Sequence, residues 1–155
     1  MKKTLIAYFT RTGITKKLAE DTAKQTGADL FAIEPVKEYS SSYLICVGQA
    51  KLENLQNARP AIKAKPQNLQ NYDTIVVMFP IWWFTCPNII LTFLEENDLS
   101  GKAVIPVCTY GSSGKGSSEK AMTKVCKNAT FKPCIEATGL KDTAVAAIAA
   151  AIKEA

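Results

Sequence analysis

"TLIAYFTRTGIT", residues 4–15, runs from an unbroken apolar stretch into three threonines set around one glycine. "KKLAEDTAKQTG", residues 16–27, follows. The apolar run, about Lys3 to Thr10, has no polar alternation, which predicts a strand buried on both faces as in a parallel sheet. A helix is expected from Gly13 to Thr26, with Ile14, Leu18, Thr22 and Ala23 on its less polar face and Gly27 as its C-cap. The turn between them opens a helix, where backbone amides lack partners and carry partial positive charge. Thr10, Thr12 and Thr15 add hydroxyls, and Gly13 lets the backbone close on a ligand. Such a turn can cage a phosphate without a metal, or it can be a threonine-rich cap that holds nothing. The lysine of a nucleotide-triphosphate loop is missing, and so is the glycine triplet of a dinucleotide fold.

Outward from this unit the pattern repeats. "ADLFAIEP" reads as a second strand ended by Pro35. Ser42 to Gln56 reads as a helix with Tyr43, Cys46, Val47 and Ala50 on one face, weakened by Gly48. Residues 58–71 read as an ordered loop. "YDTIVVMF" (72–79) is the strongest strand, and Pro87 suits the first turn of a helix that buries Ile90, Phe93 and Leu94. "KAVIPVC" (102–108) is a fourth strand. "SEKAMTKVCKN" (118–128) is a helix with Glu119 in its first turn. "FKPCIEA" (131–137) is a weak fifth strand. A last helix follows from Asp142, its expected N-cap, with Val145, Ile148 and Ile152 facing inward. Strands alternating with helices predict one α/β domain, residues 1–155, built on a doubly wound five-stranded parallel sheet.

Composition narrows the function. The chain has 155 residues, 47% of them apolar, with 19 basic against 14 acidic residues for a formal charge of +5. The lysines are scattered, so no nucleic-acid footprint is expected. The apolar start, Leu5 to Phe9, is too short for the roughly 7–15-residue core of a secretory signal. No stretch approaches the roughly 20 residues that span a bilayer, so no membrane association and a cytoplasmic location are expected. The five cysteines show no C-x-x-C spacing, which favours buried free thiols. Cys86, ahead of a helix start, is the one candidate for reactivity, with a small apolar filler the blander reading. The absence of histidine removes the commonest general base and metal ligand. No metal site and no catalytic residue are expected.

In doubly wound sheets the ligand sits beyond the carboxyl ends of the strands. The loops there are 10–15, 80–87 and 109–118. "PIWWFTCP" (80–87) places two indoles where small polar residues would be usual, which suggests a flat aromatic ligand to stack on, or two core residues under a loop. "TYGSSGKGSS" (109–118) is small enough to bring backbone groups to the polar edge of a ring, or is a flexible surface loop.

T-x-T-G-x-T after the first strand, "YDTIVVMFPIWW", and a small-residue loop after "PVCT" together resemble the flavodoxin family, in particular its short-chain flavodoxin-like branch. The resemblance spans the whole chain, in order. It implies strand order 2-1-3-4-5 and flavin mononucleotide (FMN) as cofactor. Thr10, Arg11, Thr12, Gly13, Ile14 and Thr15 would hold the phosphate. Pro80, Ile81, Trp82 and Trp83 would line one side of the isoalloxazine. Thr109, Tyr110, Gly111 and Ser112 would meet its pyrimidine edge. The chain departs from many flavodoxins in being basic and in carrying Tyr110 early in its loop.

Three functions compete. An electron carrier shuttles electrons between a reductase and an acceptor protein, and a monomer is expected. An NAD(P)H or quinone oxidoreductase on the same scaffold needs room for a second ring over the flavin. A signalling receiver needs acidic residues at the end of the first strand and a lysine after the fifth. Thr10 and Thr138 stand there, which discounts the receiver.

Overall fold

The computed structural model describes residues 2–138 and 142–155. Its elements are β1 (Thr4–Tyr8), α1 (Ile14–Thr26), β2 (Asp29–Ala32), α2 (Tyr43–Gln56), β3 (Thr74–Pro80), α3 (Asn88–Glu96), β4 (Ala103–Thr109), α4 (Ser118–Val125), β5 (Thr130–Phe131), β6 (Ile135–Ala137) and α5 (Asp142–Glu154). All pairings are parallel, in the expected order β2-β1-β3-β4-β5. The register sets Ile6 beside Val76 and Val76 beside Ile105.

Period-2 alternation divides the strand side chains between two cores. Ile6, Tyr8, Val76, Met78, Ile105 and Val107 pack against Leu18 and Ala19 of α1 and Val145 and Ile148 of α5. Leu5, Ala7, Ile75, Val77, Phe79 and Val104 pack against Ile89, Ile90, Phe93 and Leu94 of α3 and Met122 of α4. Both faces of the central strands are therefore apolar, which is why "TLIAY" and "TIVVMF" read as continuous runs.

The expected fifth strand is divided. β5 pairs with Ala103 and Val104, and β6 pairs with Val107 to Thr109. Lys132 to Cys134 lie between them. Pro133 has no N–H to give a ladder, and the Cys134 N–H instead donates to Glu119 Oε2 at 3.0 Å. The sheet thus has six strands, the sixth being the second half of the fifth.

Smaller differences have local causes. Ile14 is 48% exposed rather than on the buried face of α1, because the helix begins there and its first residue borders the cavity at the carboxyl ends of the strands. Pro87 caps α3 from outside, with extended ψ of 147°. The whole of α3 from Asn88 to Leu94 is buried, not one face alone. β2 ends at Ala32, though Ile33 N–H still bonds to Tyr8 O at 2.7 Å. Helix α5 begins at Asp142 as expected, and the capping role of its side chain lies outside what the structure describes.

Candidate functional site

The carboxyl ends of β1, β3 and β4 open into a cavity of about 800 Å³. Of the sequence-derived site residues, Thr10, Arg11, Thr12, Ile14, Thr15, Pro80, Ile81, Trp82, Trp83, Thr109, Tyr110 and Gly111 line it. Gly13 and Ser112 do not border it, while Ser113 does. Thus all three loops meet at one place, as the topology requires.

The first loop is built from its own backbone. Gly13 takes φ +96°, left-handed, a conformation that favours glycine. Its N–H donates to Thr10 Oγ1 at 3.0 Å. Helix α1 has no side-chain cap, and its first internal bond runs from Lys17 N–H to Gly13 O at 2.9 Å. The amides of Ile14, Thr15 and Lys16 are left without acceptors inside the helix. Thr15 is buried, and its hydroxyl shares a hydrogen bond with that of Thr109 at 2.8 Å. One hydrogen serves that bond, which leaves the other hydroxyl's hydrogen for a ligand. Arg11 reaches from the loop to Ser41 O at 3.1 Å. Its Nε is buried with no hydrogen-bond partner. A buried orphan donor is costly, and an anion in the cavity would relieve it.

The second loop holds two unlike tryptophans. Trp82 is half-buried, edge-on to Tyr39 (4.9 Å between centroids) and Phe9 (5.3 Å). Trp83 is exposed, donates Nε1–H to Val47 O at 3.0 Å, and has Lys51 Nζ 4.7 Å from its ring centre. Between Trp82 and Thr85, which bond to each other, Trp83 and Phe84 take φ of +52° and +63°. Two bulky residues in this region are strained, by about 1–3 kcal/mol each. Strain of this kind concentrates at ligand sites.

In the third loop, Gly116 serves the protein's own packing. Gly116 has φ +55°, and a β carbon there would lie 1.8 Å from Phe84 O. The next residue, Ser117, donates its N–H to that same oxygen at 2.9 Å. The two loops are therefore tied together at Phe84. Tyr110 is half-buried and packs against the core beneath α3 and α4.

The sequence reading missed one wall. Tyr43, Cys46, Val47 and Ala50 of α2 border the cavity, with Phe84 and Thr138. Their common helix face was legible, but nothing local says that α2 lies over the ligand rather than on the sheet. Behind Trp82, Tyr39 donates its hydroxyl to the Glu53 carboxylate at 2.6 Å. Burial raises the Glu53 carboxyl above its usual range, and burial with this bond drives the Tyr39 phenol far upward.

Arg11 is the only charged lining residue among those described. No group of His, Cys, Asp and Glu that could hold a metal occurs among the described residues. Nor is any helix long and apolar enough to cross a membrane. Cys86 is buried and its thiol is pushed up to about 12 by burial, so it fills space and is no thiolate at neutral pH.

The flavodoxin family model matches residues 3–147. The chain belongs to the flavodoxin family. Among solved structures it is similar to a provisionally assigned flavoprotein of Bacteroides eggerthii, 33% identical, with 99% of each chain covered and a TM-score of 0.87. It is also similar to a Lactobacillus acidophilus flavoprotein solved in complex with FMN, 20% identical over 88% of this chain and 93% of that one, TM-score 0.79. An NADH:FMN oxidoreductase is 18% identical over 99% of this chain and 88% of that one, TM-score 0.55. No curated protein sequence matches. The cofactor of the family, FMN, fits the residues present. An uncapped helix start and the orphaned Arg11 Nε suit its phosphate, and a largely apolar, aromatic cavity suits its ring.

Proposed function

We propose that this flavodoxin binds FMN in the cavity and carries electrons between a reductase and an acceptor protein. Thr10, Arg11, Thr12 and the amides that open α1 would hold the phosphate. Pro80, Ile81, Trp82 and Trp83 would line the isoalloxazine, and Thr109, Tyr110 and Gly111 its pyrimidine edge. Gly13 acts through the turn it permits. Bound there, FMN supplies the redox chemistry by taking up and releasing one or two electrons.

The carrying observation is the make-up of the lining. Among the described residues it has no carboxylate, and the chain has no histidine. The commonest proton-transfer side chains, His, Asp and Glu, are therefore missing from the lining, which offers only Tyr43, Tyr110 and Cys46 of the rarer types. That suits traffic in electrons better than chemistry on a bound substrate. The formal +5 would steer the protein toward neutral or acidic partners, with association slowing as salt rises.

One observation supports a second reading, an FMN-dependent NAD(P)H or quinone oxidoreductase. Tyr110 packs inward, and small residues, Gly111 and Ser113, border the cavity beside it. Such a border leaves room for a planar substrate. Steady-state oxidation of NADPH with a quinone, without a partner reductase, separates the two. Negligible turnover, with fast flavin reduction once a reductase is added, is expected. Turnover above about 1 per second, an ordinary enzyme's floor, favours the oxidoreductase.

A further inference from the structure

Helix α2 is apolar on two opposite sides. Cys46 and Ala50 are buried and wall the cavity. Away from them stand Leu44, Ile45, Leu52 and Leu55, exposed by 80%, 59%, 55% and 71%. At helical periodicity these four fall within an arc of about 100°. Gly48 lies inside the same arc. A β carbon at Gly48 would meet nothing within 4 Å, so nothing in this chain asks for glycine there. Yet glycine weakens a helix relative to alanine. A contiguous apolar helix face left exposed marks an interaction surface.

We propose that this face pairs two copies of the chain, α2 antiparallel to α2, about a two-fold axis at Gly48. An isologous interface must be complementary to itself. Leu44 and Leu52 lie four residues to either side of Gly48. An axis at Gly48 sets Leu44 of each copy on Leu52 of the other. It also sets glycine on glycine, where two helix backbones can close. Charge does not oppose this. Lys51, at the edge of the arc, is drawn over the Trp83 ring, and Glu53 is turned inward to Tyr39. Burying the four aliphatic side chains removes roughly 300–500 Å² of apolar surface per copy from water. A standard interface needs about 800 Å² per partner. Exposed Trp83, bonded to the Val47 carbonyl, extends the apolar surface beyond the helix toward that area. Where the sequence reading expects a monomer, this face supports a dimer whose contact clamps the cavity wall from outside.

Sedimentation velocity of the purified protein, from low to high micromolar concentration, tests the pairing. A species of twice the 16.8 kDa chain mass, dissociating on dilution, is expected. Leu44→Glu should raise the dissociation constant about a hundredfold or more, as loss of a central contact does. Gly48→Leu is the discriminating variant. It improves the helix and touches nothing inside the chain, so the melting temperature should hold or rise. Its dissociation constant should still rise about tenfold or more, because the backbones can no longer close. Circular dichroism melts of both variants confirm that the monomer is folded. A monomer at every concentration overturns the proposal and leaves the face to another protein. A dimer that Gly48→Leu leaves unchanged or tightens also overturns it.

Discussion

The turn between β1 and α1 and helix α2 wall the same cavity by opposite means. The turn is an extension of a strand whose five residues are all buried. Phe9 N–H bonds to Met78 O at 3.0 Å, Gly13 N–H to Thr10 Oγ1, and Thr15 to Thr109. The turn therefore moves only if the sheet moves. Helix α2 buries only Cys46 and Ala50. What positions it is a set of side-chain hydrogen bonds: Asn88 Nδ2 to Glu53 O (3.0 Å) and Ala58 O (2.8 Å), Trp83 Nε1 to Val47 O, and Ser40 N–H to Gln49 Oε1. Each such bond contributes only about 0.5–1.5 kcal/mol. The β1–α1 end of the cavity is thus rigid by connection to the core, and the α2 wall is hung from outside it.

Breaking the joint between the second and third loops, which borders the α2 wall, should have the largest effect. Gly116→Ala drives a β carbon into the Phe84 carbonyl, backbone against backbone, at a positive φ. A loss of about 3 kcal/mol or more is expected in chemical denaturation. An unchanged midpoint would mean that the two loops are not tied as described. Removing the ligand's phosphate comes next. Riboflavin should bind at least about a hundredfold more weakly than FMN, since two or more charge-assisted bonds are lost at roughly 1.5–3 kcal/mol each. Equal affinities by flavin fluorescence quenching would break the assignment of the first loop.

Two substitutions then sharpen the contrast. Thr12→Val should weaken FMN about tenfold and leave riboflavin unaffected, because on the proposed assignment only the phosphate would meet that hydroxyl. Asn88→Ala should loosen α2 by removing its two anchoring bonds. FMN and riboflavin should then weaken by the same factor, about three- to tenfold. Unequal factors for Asn88→Ala would show that α2 also shapes the phosphate site. The smallest effect is expected at the strained hairpin. Phe84 is 67% exposed at φ +63°, so Phe84→Gly gives up little packing and relieves the backbone. Stability should rise by about 0.5–1 kcal/mol, read as a higher melting temperature without flavin.

The strands, the helices and the three loops were legible because each rests on a local pattern, while the strand order 2-1-3-4-5 came from the family resemblance. Apolar runs marked β1 and β3, glycine and threonine marked the turn into α1, and the paired indoles marked the loop after β3. Spacing alone also grouped the residues proposed to cage the phosphate, since residues 10–15 lie next to one another in the chain and in space. Burial of Cys86 was equally open to the plain reading of a small apolar filler.

What the chain could not disclose locally depends on partners far away in sequence. Pro133 sits in an apolar run that reads as one strand, and only the Cys134 bond to Glu119 shows how the ladder divides. Trp82 and Trp83 are identical as letters. Phe9 and Tyr39 take one into the core, while Val47 and Lys51 hold the other at the surface. The small residues of 109–118 read as room for a ring edge or as a flexible surface loop, and Gly116 is needed against Phe84 instead. Helix α2 showed a clear inner face, but that the face looks onto the cavity follows from Asn88 and Trp83, more than thirty residues on. Periodicity reports which side of a helix is covered. It carries no information about what covers it, because that is decided by the closure of the whole sheet.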